Sequence, residues 1–337
     1  MNAKVDPSSG LLTAGGSRRF SDVTIQVFIM IGLLAIMVIV TGIVNKNFYS
    51  PFLMRGLARD ISILAIFALG QGIVIIAGGI DLSVGSLICL TGTSIIVLLN
   101  NVAGITFGQA VLLVLAVAAV LGLIHGLLVC YLNLQPFLVT LCSLLVFRSI
   151  TRALTDDSTV AFNDKSFPIF AALGTGTWLG IPIPVYVLIA LVIPILFFMH
   201  CTVHGRYLYA IGYNLEAARF SGVHTNMLRI FTFVICAVLA AIAGILEASS
   251  IGSRTPSNAG MAYELYGITA AVLGGCAFRG GQGSILGIIV GAAVLRVILP
   301  LVIFFGVSTF LTDAVTGFIL LIAVILDALV KKRGRKS

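Results

Sequence analysis

The stretch Gly78-Gly79-Ile80-Asp81-Leu82-Ser83-Val84-Gly85-Ser86 decides the fold. It sets a carboxylate, two hydroxyls and three glycines between apolar runs at 61–77 and 84–99. As helices these runs are about 26 Å and about 24 Å long, at ~1.5 Å per residue. That leaves no room for a solvated loop between two full membrane spans. The segment therefore reads as two broken helices that meet inside or near a membrane, the glycines letting the backbone turn. Irregular backbone at such a depth is tolerated only where it is buried in protein or lines a cavity. Asp81 is the most informative residue. A lone carboxylate in hydrocarbon is costly, so it must be paired, hydrogen-bonded or solvated. One reading is structural: Asp81 caps the helix that begins near Leu82, with help from Ser83. The other is functional: the break lines a translocation path, as in transporters with discontinuous helices. The two are compatible.

The rest of the chain supports a membrane setting. Of 337 residues, 59% are hydrophobic and 9% charged, and the mean hydropathy is +1.16. Soluble domains carry about 25% charged residues. A soluble enzyme, a nucleic-acid binder and a disordered protein are thereby excluded, and the fold class is an all-α integral membrane protein. Further apolar runs at 23–44, 108–132, 137–155, 183–201, 227–250, 263–277, 284–304 and 308–330 bring the expectation to about ten transmembrane helices. Val23–Val44 is too long for a signal-peptide core and reads as a retained span. An even count puts both termini on one side. Basic residues gather at Lys4, Arg18 and Arg19, at Arg206 and Arg219 in the 202–226 loop, at Arg279, and in the tail from Lys331 to Lys336. That side is assigned to the cytoplasm, and the net charge of +8 reflects topology, not a nucleic-acid partner. The domain organisation is a cytoplasmic tail (1–22), one transmembrane domain (23–330) and a basic cytoplasmic tail (331–337). The six Cys residues lie in or beside apolar runs and read as small core fillers.

A second polar break has a similar character: Gly274-Gly275-Cys276-Ala277-Phe278-Arg279-Gly280-Gly281-Gln282-Gly283-Ser284. Gly-Gly opens both breaks and Gly-Ser closes both, which suggests a trace of internal duplication. Gly283, Gly287 and Gly291, four residues apart, form a groove for close helix packing. Arg296 lies further along, inside an apolar run, facing protein or water. The 156–182 loop holds the one Trp, Trp178, and reads as an interfacial loop or as part of an external docking surface. In the 202–226 loop, Asn214 is a good N-cap, Glu216 sits in the first turn and Gly222 can end the helix. Glu216 and Arg219 are spaced to pair. The result is a capped two-turn helix that needs something to pack against. His200 and His204 have ligand spacing without a third ligand near in sequence, so no metal site is assigned.

No G-x-x-x-x-G-K-[ST], H-E-x-x-H or G-x-S-x-G motif occurs, so no catalytic residue is assigned. Buried acids are too few for an obvious ion-coupled carrier, and an outside energy source fits better.

On these residues the chain resembles the membrane-spanning permease subunits of bacterial ABC importers for monosaccharides, the ribose, xylose, arabinose and galactose group. The resemblance covers roughly 45–330. It rests on Gly70-Gln71 with Ile75 to Ser86, on Pro136-Phe137-Leu138-Val139-Thr140-Leu141, on Ala210-Ile211-Gly212 with Asn214, Ala217-Ala218-Arg219 and Ser221-Gly222, and on Tyr263-Glu264-Leu265 with Gly274-Gly275 and Gly280 to Ser284. His125 stands where the family usually has Asn, Tyr266 where Asp is common, and Arg148-Ser149 where Arg-Gly is usual. The resemblance implies a multi-pass protein of the bacterial inner membrane that carries no cofactor and has no ATPase site of its own. It implies a second permease subunit in a homo- or heterodimer, a periplasmic sugar-binding protein, and a cytoplasmic ABC ATPase that binds the ATP. Gly212, Asn214, Glu216, Ala217, Ala218, Arg219, Ser221 and Gly222 would form the coupling loop. Gln71, Gly78, Gly79, Asp81, Ser83, Gly85, Phe137, Thr140 and Glu264 would shape or line the pathway. The rivals are the same machine carrying a nucleoside, polyol or amino acid, an ion-coupled secondary transporter, and a non-transporting scaffold.

Overall fold

The computed structural model describes residues 15–163 and 167–306, with isolated positions from 308 to 321. The expected span at 308–330 and the basic tail at 331–337 lie largely outside the described residues. So do the first 14 residues of the N-terminal tail. The described chain is almost entirely helical: α1 (Gly15–Val44), α2 (Pro51–Ile76), α3 (Val84–Asn101), α4 (Phe107–Tyr131), α5 (Pro136–Ala153), α6 (Pro168–Thr175), α7 (Ile183–Leu196), α8 (Val203–Tyr213), α9 (Leu215–Phe220), α10 (Thr225–Ile251), α11 (Tyr263–Leu273) and α12 (Ile285–Phe304). Eight of these segments are long and apolar enough to cross a membrane, counting α7 with the π-turn that extends it to Cys201. The all-α membrane fold is therefore the observed one.

Two boundaries differ from the sequence reading in instructive ways. The helix before the first break is not short. Ser50 caps it, accepting the Leu53 N–H, and Pro51 occupies its first turn, so α2 runs for 26 residues. Arg55, Arg59 and Asp60 interrupt the apolar run without interrupting the helix, because they lie in its exposed or half-buried first turns. The short partner is α3, with 18 residues. The 263–277 run forms the 11-residue α11, too short to span.

The core is built around α2, which is 83% buried over its apolar window, and α10, at 67%. These two helices pack together and against α3, α4, α11 and α12. Close approach is set by glycines. A Cβ on Gly122 of α4 would lie 2.7 Å from the Phe233 carbonyl of α10, and one on Gly92 of α3 would lie 2.8 Å from the Gly244 carbonyl. Ile66, Phe67, Leu69, Ile73 and Ile75 of α2 are fully buried. By contrast α4 and α5 are only 28% and 22% buried and turn broad apolar faces outward.

The 156–182 region is more than a surface loop. Val160–Ala161 pairs antiparallel with Ser253–Arg254. Helix α6 packs on α10, burying Phe170 completely. A small hairpin presents Trp178, 63% exposed, whose carbonyl accepts from the Tyr186 hydroxyl at 2.9 Å. At the start of this region, Arg152 donates to Asp157 at 2.6 Å and holds that carboxyl below its usual range.

Candidate functional site

Helices α2 and α11 end alike. Gly78 N–H bonds the Ile75 carbonyl and Gly79 N–H the Val74 carbonyl. Gly275 and Cys276 repeat this on Val272 and Ala271. Both are Schellman ends that need a left-handed residue, supplied by Gly78 (φ 81°) and Gly275 (φ 97°).

From this shared exit the two chains diverge. After Gly79 the chain turns into the bundle. Asp81 is 1% exposed and Ser83 fully buried. Asp81 Oδ1 accepts from Ser83 N–H at 2.8 Å and from Ser83 Oγ–H at 2.6 Å. The Asp81 carbonyl accepts from the Gln71 amide. Leu82 N–H donates to Thr140 Oγ1 at 3.0 Å, and Thr140 Oγ–H lies 2.8 Å from the Pro136 carbonyl. Asp81 is thus not the cap of α3. Ser83 holds the N-cap position without a side-chain cap bond, and Asp81 fixes the turn before it. Asp81 Oδ2 and His125 Nδ1 are buried with no hydrogen bond at normal distance, and the Cys236 thiol lies near Asp81. His125 Nε2 bonds Ser143 Oγ at 2.7 Å.

A third irregular segment meets this one from the other end of the bundle. Beyond α10 the chain doubles back through 252–262, and Gly260 touches Gly85 at the start of α3. A Cβ on Gly85 would lie 2.2 Å from Glu264 Oε2 and 2.4 Å from the Gly260 carbonyl. Arg148 of α5 pins the segment by donating to the Pro256 carbonyl at 2.9 Å and to that of Ala259. The sequence marks Arg148 only as part of a departure from the family pattern and does not anticipate its partners or the re-entry of 252–262. The signal available was a cation inside the apolar 137–155 run, which demands a partner. Of the other expected pathway residues, Gln71 and Thr140 are fully buried and brace the break, Glu264 opens α11 at its edge, and Phe137 is 47% exposed on α5.

The second break stays at the end of the bundle where α8 and α9 lie. Gly281 N–H bonds the Ile76 carbonyl at 2.9 Å. Gly212, one residue before the end of α8, packs against Gly78, Gly280 and Gly281. A Cβ on Gly212 would lie 1.9 Å from the Ile76 carbonyl and 2.4 Å from Gly281 N. The Tyr209 hydroxyl of α8 donates to the Gly283 carbonyl at 3.2 Å, and burial raises that phenol above its usual range. One glycine contact therefore joins the 202–226 loop to both breaks.

The loop holds two helices where one was expected. Thr202 caps α8 by accepting from Gly205 N–H at 3.1 Å. Asn214 ends α8 and caps α9, accepting from Ala217 N–H at 3.0 Å. Gly222 (φ 80°) closes α9, with Val223 N–H on the Ala218 carbonyl at 3.2 Å. Ala218 is buried, and Glu216, Ala217, Arg219 and Ser221 are exposed. Glu216 and Arg219 form no ion pair; on so short a helix both side chains extend into solvent. Phe220 is 89% exposed, Met227 70% and Tyr213 66%, large side chains that α9, α10 and α8 each leave uncovered.

The spaced glycines of α12 face α11. A Cβ on Gly287 would lie 1.9 Å from the Gly274 carbonyl, and one on Gly291 2.2 Å from the Ala270 carbonyl. Gly283 lies against Cys276 and Ile76.

Comparisons with known proteins agree in kind. Residues 53–324 match the family described as "Branched-chain amino acid transport system / permease component". The ribose import permease protein of Escherichia coli (strain K12) is 33% identical over 94% of this chain and 98% of its own length. That of Bacillus subtilis (strain 168) is 35% identical over 87% and 90%. The xylose transport system permease protein of Escherichia coli (strain K12) is 31% identical over 98% and 100%. No solved structure matches the chain.

Proposed function

The chain belongs to the branched-chain amino acid transport system / permease component family, and from that premise we propose that it forms the translocation pathway of an ABC importer for a monosaccharide of the ribose or xylose kind. It is a multi-pass permease of the inner membrane, and it is a transport subunit, not an enzyme. The sugar reading is carried by one observation: the near-full-length match to ribose and xylose permeases from two bacteria. The family description names branched-chain amino acids, which makes those the second candidate cargo.

In this reading the α8–α9 end faces the cytoplasm and receives a separate ATPase. The exposed Tyr213, Phe220 and Met227, with Glu216 and Arg219, supply its docking surface. A push on α9 reaches Gly212 and, through it, the ends of α2 and of the second break. The first break responds by shifting Asp81, Ser83 and the Gly85–Gly260 contact, a rigid-body alternating-access step. Sugar reaches the opposite end from a periplasmic binding protein, and a second permease subunit completes the path. ATP is bound by the ATPase.

Partner capture tests this. The tagged chain is purified from its native membrane in mild detergent and its companions identified. A P-loop ATPase should co-elute, and replacing Glu216, Arg219 and Phe220 together by Ala should release it while the permease stays intact. A chain that elutes alone and drives ion-dependent solute flux in liposomes would contradict the reading.

A further inference from the structure

At the end of the bundle opposite α8 and α9, a cavity of about 250 Å³ opens between α2, α10, α11 and α12. Arg59, Asp60, Glu247, Ser250, Tyr263 and Arg296 supply its polar lining. None of these takes part in the two breaks or the loop.

The partners within the cavity are unevenly distributed. Glu247 is used on both oxygens: Oε2 accepts from Arg254 at 2.7 Å, and Oε1 accepts from the Tyr263 hydroxyl. Asp60 pairs with its neighbour Arg59 at 3.3 Å near the mouth. The Tyr263 ring is stacked on Phe67, with centroids 5.5 Å apart and planes at 9°. It is also approached by the Arg296 guanidinium, 6.0 Å from its centroid. The ring has no open face for a sugar to stack on. Arg296 is the group left over. Its Nε is buried without a hydrogen-bond partner, and no carboxylate among the described residues forms an ion pair with it. Arg59 and Arg296 line the cavity with Asp60 and Glu247, but Glu247 is already neutralised by Arg254 from outside the lining and Asp60 pairs with Arg59, which leaves the Arg296 charge uncompensated. A guanidinium set in an apolar helix requires a counter-charge. Its planar fork suits the oxygens of a phosphate.

We propose that this cavity binds a phosphate-type oxyanion, with Arg296 as its principal ligand and Arg59 assisting at the mouth. The same chemistry is offered by free inorganic phosphate and by the headgroup of an anionic lipid.

The experiment uses the full chain and two probes. In detergent, thermal unfolding is followed with inorganic phosphate against chloride at matched ionic strength. In nanodiscs, phosphatidylglycerol is compared with phosphatidylcholine. A rise in Tm of roughly 4 °C is expected at a hundredfold excess over Kd for whichever source is recognised. A response to phosphate assigns a soluble anion, and a response to phosphatidylglycerol alone assigns a headgroup. Either response should vanish in Arg296→Gln and weaken in Arg296→Lys, which keeps the charge but not the planar fork. Ser250→Asp, which places a carboxylate in the cavity, should also remove the response and serves where Arg296→Gln does not fold. No shift with either probe in the wild type, or an unchanged shift in Arg296→Gln or Ser250→Asp, would overturn the proposal.

Discussion

The two breaks leave their helices by the same left-handed turn, yet they end in different places. After Gly79 come Ile80, Asp81, Leu82 and Ser83, and the chain enters the bundle on a network of side-chain hydrogen bonds. After Cys276 come Ala277, Phe278, Arg279 and further glycines, and the chain stays at the α8–α9 end on backbone contacts. A turn motif fixes only the exit. The residues just beyond the turn decide whether the chain can satisfy its polar groups inside the protein. The first break brings a carboxylate that takes two donors from Ser83. The second brings an exposed Arg279 that needs water. In the proposed function the first would be the site, and the second the relay that touches the loop.

Substitutions can break or sharpen this contrast. Asp81→Leu should have the largest effect, because it strands two buried donors of Ser83 at about 1–3 kcal/mol each. Uptake should be abolished and Tm lowered. Asp81→Asn, which keeps an acceptor for Ser83, should fold near the wild-type Tm and transport more slowly; equal unfolding of the two variants would deny the turn-fixing role. Gly212→Ala should come next. Its Cβ would meet the Ile76 carbonyl at 1.9 Å, an overpacking worth about 1–3 kcal/mol. It should uncouple ATP hydrolysis from uptake while leaving ATPase binding intact, as measured on the assembled complex. Thr140→Val removes the acceptor of Leu82 N–H and should cost roughly 1 kcal/mol in chemical denaturation. Arg279→Ala should lie within about 0.5 kcal/mol of wild type. A larger loss would show that the second break carries a polar site of its own.

Much of this was legible in the sequence, and for physical reasons. The apolar runs and the two glycine-rich interruptions each report a local requirement of the bilayer. Asn214 and Gly222 announced α9 through its own caps. The features that stayed hidden depend on non-local contacts. The start of α2 was obscured because Arg55, Arg59 and Asp60 end an apolar run without ending a helix. Helix α8 was missed because its cap, Thr202, falls at the end of another span. The re-entry of 252–262 depends on Arg148, more than a hundred residues earlier in sequence, reaching the Pro256 and Ala259 carbonyls. Asp81 looked like a helix cap because its position just before α3 suits one. The structure gives the cap position to Ser83, and Asp81 acts two residues earlier, on the turn itself.

The most direct test of the central claim is uptake by a defined complex. The chain is reconstituted in proteoliposomes with the ATPase and binding protein that co-purify with it, and labelled ribose and xylose are supplied outside with ATP inside. The account expects sugar accumulation that requires ATP and both partners and that is lost in Gly212→Ala. Accumulation driven by an ion gradient with the chain alone, or ATP-driven uptake unaffected by Gly212→Ala, would contradict it.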